Sequence, residues 1–250
     1  MIYVTGDIHG DEERLRKAAF RLKKGDFLLV CGDFGFVWDG GKKEKRRLKR
    51  WGKKKYHILF ADGVHENFTA LNECEQVDFA GGKALRVSGN LMYLIRGEVY
   101  SLGGKKVLVF GGGYDSEMGY RSDPDIFPEI NDMASDLRKG EIGNVPGKED
   151  IENAIRNLAA HNYKVDYVVS YEAPSKIASF LNLKHPGDAH SNAYLDEIAK
   201  KTEFDRWFFG AYHLNKLVTS QFVAMFDKIV SAEEISYMKS PKNKRKNKGE

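Results

Sequence analysis

Aspartate and histidine side chains follow four predicted strands at the points where those strands end. Asp7 and His9 form an Asp-x-His pair after the first apolar run, and Asp33 follows the second run. His65 comes after the third run, and His213 ends a late Gly-Ala-Tyr-His segment. Because ligands of parallel α/β sheets sit beyond the carboxyl ends of the strands, we expect these side chains to converge. A mixed oxygen and nitrogen set is typical of Mn, Fe or Zn sites rather than Ca sites.

The elements that must position these residues alternate between strands and helices. Apolar runs rich in β-branched or aromatic residues predict strands at residues 2–5, 27–31, 57–61 and 165–170. Amphipathic patterns predict helices over residues 11–24 and 42–54, between the first three strands. Strands that are apolar throughout and are joined by helices favour parallel pairing.

The rest of the chain adds shorter strands and one further helix. Residues 91–113 contain Gly-Gly-Lys turns between apolar runs, which is typical of a meander or hairpin. Residues 149–162 carry an apolar stripe at helical spacing, and residues 206–213 and 216–230 predict closing strands. No repeat or linker divides the chain. We therefore expect one α/β domain over residues 1–235, with a mixed sheet or a two-sheet sandwich.

Composition excludes several classes of protein. With 42% hydrophobic residues, the chain can bury a substantial core, so intrinsic disorder is excluded. It contains no run of eighteen apolar residues and starts without the pattern of a secretion signal, so we expect no membrane span. Two cysteines, Cys31 and Cys74, cannot form a disulfide framework. These features predict a cytoplasmic protein with reduced thiols.

The formal net charge of +4 hides an uneven distribution. Residues 42–55 carry a net charge of +9 and residues 239–250 carry +5, which leaves −10 on the rest. Leu48 and Trp51 stand at helical spacing in the first of these segments, which predicts a surface helix. The tail, residues 236–250, has no apolar periodicity and predicts a basic, disordered extension.

Like charges repel at i,i+4 spacing, so a helix this basic favours an anionic partner. That partner could be a phosphorylated small molecule, nucleic acid or an acidic protein surface, and a merely solvated face is the alternative. The candidate anion-binding residues are Lys42, Lys43, Arg46, Arg47 and Arg50.

Five short motifs occur in a recognisable order. They are Gly-Asp-Ile-His-Gly at 6–10, Gly-Asp-Phe-Gly at 32–35, Asp-Gly-Val-His-Glu-Asn at 62–67, Tyr-Glu-Ala-Pro at 171–174 and Gly-Ala-Tyr-His at 210–213. In this order they resemble the calcineurin-like metallophosphoesterase family, and most closely its compact bacterial and phage branch. The resemblance implies a two-sheet α/β/β/α sandwich. It also implies two metals, bridged by one Asp and by a hydroxide that attacks a phosphoester.

The chain matches the family's ligand positions for one metal better than those for the other. The ligands that it implies for the first metal are all present: Asp7, His9, Asp33 and His213. The second metal would share Asp33 and add an Asn and two His, and these positions hold Val64, Tyr171 and Ala211. The second site is therefore degraded. We expect one divalent transition metal at most, either Mn, Fe or Zn, with Mn favoured.

This pattern predicts a pseudoenzyme that binds a phosphorylated ligand or partner and has weak or no phosphoester hydrolysis. One alternative is an active phosphomonoesterase or phosphodiesterase that uses a single metal, Asp33, and His65 as general acid. For His65 a purely structural hydrogen bond is the other interpretation. A third alternative is a nucleic-acid-binding protein that uses residues 42–55 and the tail. No obvious aromatic platform accompanies those lysines, which argues against sequence-specific readout.

Overall fold

The computed structural model describes residues 1–113, 143–182 and 193–234. Within these ranges two mixed sheets pack face to face, and helices cover both outer surfaces. This arrangement confirms the α/β sandwich that the resemblance implies. The predicted tail, residues 236–250, lies outside the described residues and stays a prediction, as does the single-domain boundary at residue 235.

The described residues form thirteen strands and six helices. The strands are β1 (Ile2–Thr5), β2 (Phe27–Val30), β3 (His57–Phe60), β4 (Glu75–Phe79), β5 (Gly82–Ser88), β6 (Leu91–Leu94), β7 (Val99–Leu102), β8 (Lys105–Phe110), β9 (Tyr167–Ser170), β10 (Arg206–Phe209), β11 (Lys216–Leu217), β12 (Phe222–Ala224) and β13 (Val230–Ser231). The helices are α1 (Glu12–Ala19), α2 (Lys42–Gly52), α3 (Phe68–Asn72), α4 (Lys148–Ala160), α5 (Ser175–Phe180) and α6 (Ala193–Lys201).

Both sheets contain a parallel centre with antiparallel edges. The first sheet has the order β13-β1-β2-β3-β6-β5-β4, and its strands β1, β2, β3 and β6 run parallel. The second has the order β11-β12-β10-β9-β8-β7, with β12, β10, β9 and β8 parallel. The predicted parallel pairing of the first three strands is confirmed. Their carboxyl ends therefore share one edge of the first sheet.

The core has three layers that follow from this stacking. Apolar side chains of both sheets meet in the middle, among them Leu59, Val109 and Phe208. The outer face of the first sheet is covered by α1 and α2, which bury Leu15, Leu48 and Trp51, among others. The outer face of the second sheet is covered by α4, α5 and α6.

Helix α1 begins one residue after Asp11, whose side chain accepts hydrogen bonds from the backbone N–H groups of Glu13 and Arg14. The helix ends at Ala19, earlier than the predicted residue 24. Asp26 accounts for part of this difference, because its carboxylate accepts hydrogen bonds from the N–H of Lys23 and from the N-terminal ammonium group. These bonds hold the chain before β2 in turns.

An ion pair is buried beside the shared edge. Asp62 follows β3 and is fully buried, and its carboxylate accepts hydrogen bonds from Arg96 Nε at 3.1 and 3.2 Å and from Tyr93 at 3.0 Å. Arg96 is 2% exposed, and its Nη1 atom lies 3.2 Å from Oδ2 of Asp150 in α4. Burial raises the pKa of Asp62, and the charge of Arg96 opposes that rise. Arg96 thus joins the loop after β3 to the helix that covers the second sheet.

Replacing Arg96 should destabilise the fold strongly. Arg96→Met leaves Asp62 as an uncompensated buried carboxylate, so we expect the free energy of unfolding to fall by about 3–5 kcal/mol. Arg86→Met is the matched control, because Arg86 and Glu75 form an exposed pair on neighbouring strands. That control should cost less than about 1 kcal/mol. Urea denaturation measures both, and equal losses would contradict the role given to the buried pair.

Candidate metal centre

The predicted ligands meet at the edge where β1, β2 and β3 end. Asp7 follows β1 and Asp33 follows β2, and both carboxylates are buried, with exposed fractions of 0% and 1%. The three imidazoles lie nearer the solvent, with side-chain exposures of 36% for His9, 51% for His65 and 53% for His213. The centre is therefore a shallow site with carboxylates at its floor and imidazoles at its mouth.

One group of ligand atoms is formed by Asp7, His9 and His213. The Nε2 atoms of His9 and His213 lie 3.0 Å apart, and His213 Nε2 lies 3.2 Å from Asp7 Oδ2. The other oxygen of Asp7 accepts a hydrogen bond of 3.1 Å from the backbone N–H of Ala211. Three potential ligand atoms thus lie within 4.8 Å of one another.

A second group shares His9 and adds Asp33 and His65. Asp33 Oδ2 lies 2.9 Å from His65 Nδ1 and 3.9 Å from His9 Nδ1. Its Oδ1 accepts a 2.8 Å hydrogen bond from the backbone N–H of His65. The structure therefore brings all four predicted ligands together with His65, but in two overlapping groups, and Asp33 lies in the group of His65 rather than that of Asp7.

The donor set fits a divalent transition metal. Asp7 Oδ2 is buried and accepts no hydrogen bond of good geometry, although His213 is close. Buried carboxylate oxygens are normally satisfied, so an orphaned one aimed at two imidazole nitrogens indicates a cation site. One carboxylate with two imidazoles is a set that Mn, Fe and Zn accept and that Ca disfavours.

The electrostatics of these groups follow from burial and from their partners. Burial raises the pKa of Asp7, and burial lowers the pKa of His9, which favours the neutral imidazole that binds metals. The neighbouring carboxylate of Asp7 raises the pKa of His213. Burial also opposes ionisation of Asp33, but hydrogen bonds from His65 and Tyr171 outweigh it and hold the pKa of Asp33 below its usual range.

A family model for calcineurin-like phosphoesterases matches residues 1–214 of the chain. The chain belongs to the calcineurin-like phosphoesterase family. A comparison with curated proteins found no match. Members of this family bind divalent metals, which agrees with the two ligand groups at the sheet edge. In the described part of the chain, no helix is both long and apolar enough to cross a membrane.

The positions expected to serve a second metal in this phosphoesterase can now be placed. The Tyr171 hydroxyl donates a hydrogen bond of 2.9 Å to Asp33 Oδ2. Burial raises the pKa of Tyr171 above its ordinary value, which keeps the phenol protonated. Val64 is half-buried and has no donor atom, and Ala211 contributes only its backbone N–H.

The backbone of the phosphoesterase site is strained at its ligands, a feature that the sequence did not show. His9, Asp33 and His213 have positive φ values of 50°, 44° and 50°, in the left-handed region that side chains rarely adopt. These turns direct the side chains back toward one another directly after each strand. Glycines lie close to these residues in the Gly-Asp and Gly-Ala motifs, and those glycines are the one feature of the sequence that pointed to strained turns.

Two further groups support the candidate ligands, and no sequence motif pointed to the first of them, Phe226. The Phe226 ring packs at a tilt against the His213 ring, with 4.5 Å between the ring centres, and the Arg14 guanidinium lies 4.7 Å from the centre of the Phe226 ring. Glu66 is buried and accepts hydrogen bonds from the N–H groups of Phe34 and Gly35, which fixes the loop after Asp33. Both features depend on contacts between distant segments.

The candidate anion-binding residues lie on α2 and not among the metal ligands. Lys42 and Lys43 are exposed in the first turn of the helix, and Arg46 and Arg50 line an open groove further along it. Arg47 turns away from them, with its guanidinium 4.9 Å from the Phe36 ring. The structure therefore keeps these cations separate from the phosphoesterase centre and divides them among three positions.

Enlarging Gly210 should disrupt the centre. A Cβ atom at this position would lie 2.2 Å from Asp7 Oδ1 and 2.6 Å from the backbone oxygen of Cys31. Gly210→Ala should therefore displace Asp7, weaken Mn²⁺ binding by about tenfold or more and cost about 1–3 kcal/mol of stability. Isothermal titration calorimetry and urea denaturation measure these effects. Gly147→Ala is the control, since its nearest atom is 4.0 Å away, and losses of equal size there would refute this account.

Proposed function

We propose that this phosphoesterase binds one divalent transition metal, with Mn favoured, and holds a phosphorylated ligand there with weak or no hydrolysis. The hydrogen bond from Tyr171 to Asp33 is the observation that carries the proposal, because it replaces a metal contact with a phenol donor. Val64 supports it, since its side chain cannot coordinate an ion. The protein would then be a pseudoenzyme of its family.

Asp7, His9 and His213 would hold the metal, with Asp33 beside them. A bound ion would supply Lewis acidity toward a phosphoryl oxygen and would acidify water. The chain's own residues orient this site. Ala211 N–H fixes one oxygen of Asp7, so that the other oxygen faces the imidazoles. Tyr171 and His65 together engage both oxygens of Asp33, which leaves little capacity for a second ion.

Losing the second metal should reduce hydrolysis severely. In a two-metal centre the ions stabilise both the attacking and the leaving oxygens. Removing one withdraws several kcal/mol of transition-state stabilisation, which is about a thousandfold or more in rate. A phosphorylated ligand could still bind the remaining cation. We also propose a cytoplasmic location, supported by the two free cysteines.

Single-metal hydrolysis with His65 as general acid is the second candidate function. Its support is the 2.9 Å contact between His65 Nδ1 and Asp33 Oδ2, together with a ring that is half exposed. As an acid, His65 would keep its Nδ1–H in the hydrogen bond to Asp33. Its Nε2–H would transfer its proton to the leaving group. Asp33 would then orient the acid rather than serve mainly as a metal ligand.

The purified protein should contain about one metal ion per chain when it is saturated with Mn²⁺. Elemental analysis after gel filtration measures this number. His213→Ala removes one of three ligands in the better-formed group and should leave the ion weakly bound, whereas Tyr171→Phe removes no metal ligand and should retain it. Two ions at full occupancy in the unaltered protein would overturn the proposal.

Restoring the family pattern should restore turnover. The triple variant Val64→Asn, Tyr171→His and Ala211→His supplies the missing donors, so we expect a second Mn²⁺ and a rise of about a hundredfold or more in phosphodiesterase rate. An assay with a chromogenic phosphodiester measures the rate. Brisk turnover by the unaltered protein that is abolished by Asp33→Asn would instead favour the single-metal enzyme. If the triple variant gains an ion without a gain in rate, the lost metal does not explain weak hydrolysis.

A further inference from the structure

A stripe of five cations runs along the exposed face of α2. Arg46, Lys49, Arg50, Lys53 and Lys54 line an open groove of about 420 Å³. We propose that this cationic stripe binds the phosphate backbone of a single-stranded nucleic acid. The surface is distinct from the metal centre, and the proposal does not rest on the function proposed for that centre.

The positive charge of the stripe is largely uncompensated. The segment contains one acid, Glu44, and this side chain is 4% exposed and turned inward. Its carboxylate accepts hydrogen bonds from the backbone N–H groups of Trp38, Asp39 and Gly40 instead of pairing with lysines. Among the described residues, α2 forms one ion pair, between Arg50 and Glu12. The stripe therefore presents a concentrated field to an anion.

The stripe is also held rigidly, which favours an extended ligand. Leu48 and Trp51 anchor α2 in the core, and the charged groups of Arg50 and Lys54 lie 5.9 and 5.3 Å from the Trp51 ring. From residue 46 to Gly52, where α2 ends, the helix rises by about 9 Å, and Lys53 and Lys54 continue the row of cations beyond it. Even at the spacing of about 3.4 Å that one strand has in a duplex, a row of this length can contact more than one phosphate of a nucleic-acid strand. The match favours a polymer over a small molecule with one phosphate.

An exposed aromatic side chain precedes α2. Trp38 is 57% exposed, and the hydrogen bond from its backbone N–H to Glu44 holds the chain beside the first turn of α2. Indole rings offer a stacking surface for unpaired bases without selecting their sequence. Together with the positive charge of the stripe, this ring supports single-stranded nucleic acid as the partner, and an acidic protein is a separate outcome of the test.

The stripe extends away from the metal centre. Helix α2 starts near the edge that carries Asp33, but Asn90, which precedes β6, donates hydrogen bonds to the backbone oxygens of Gly52 and Lys54. The start of β6 lies at the opposite edge of the sheet, because β6 runs parallel to β3. Binding and metal loading can be measured independently.

Salt-dependent binding tests the proposal. A labelled 20-nucleotide single strand is titrated by fluorescence anisotropy with the full chain at several salt concentrations. Lys49→Gln/Lys53→Gln should raise Kd about tenfold or more and reduce the slope of log K against log salt by about 1.4, because each lysine contributes about 0.7. Trp38→Ala should raise Kd at least about fivefold, the loss of one stacked base.

The matched control is Lys200→Gln/Lys201→Gln on α6, on the other outer layer of the sandwich. It removes the same charge from another exposed helix and should leave Kd and slope unchanged. Equal losses in both double variants would show a non-specific effect of net charge and overturn the proposal. An unchanged slope for Lys49→Gln/Lys53→Gln would do the same and assign binding elsewhere on the chain. Equally tight binding of a polyglutamate of matched charge would replace nucleic acid with an acidic protein partner.

Discussion

The parallel pairing of β1 and β2 forces two carboxylates, Asp7 and Asp33, into the same buried edge of the sheet. Buried carboxylates are costly unless donors or cations compensate them. The structure meets that demand with imidazoles at the mouth, the phenol of Tyr171 and the N–H of Ala211. Glycines at these turns allow the close approach that such compensation requires. Much of the local architecture follows from this one constraint.

Two further buried carboxylates organise the segment between Asp33 and α2. Glu66 accepts hydrogen bonds from the backbone that follows Asp33, and Glu44 accepts three from the backbone that precedes the helix. Because the Glu44 side chain points inward and binds the backbone, it does not neutralise the lysines around it. The loop between Asp33 and α2 thus connects the metal centre to the helix that carries the cationic stripe.

The centre also shows how one substitution can alter two properties. A histidine at position 171 would bring a neutral donor to a metal, whereas the tyrosine brings a proton to Asp33. Its ring packs against Gly32 and Gly113, where an added Cβ would lie 2.2 and 2.8 Å away. Tyr171 therefore packs closely on Gly32 and Gly113 and satisfies one oxygen of the Asp33 carboxylate.

The family resemblance implied the sandwich. Apolar periodicity predicted the parallel pairing of the first three strands, and the Gly-Asp and His motifs predicted the set of candidate ligands, because these are local signals. The sequence also located the basic helix from Leu48 and Trp51. Other features became visible in the fold alone. Asp33 groups with His65, and Tyr171 donates a hydrogen bond to Asp33. Phe226 packs against His213, and Glu44 faces inward. Each of these depends on side-chain directions and on contacts between segments far apart in the chain, which no local pattern encodes.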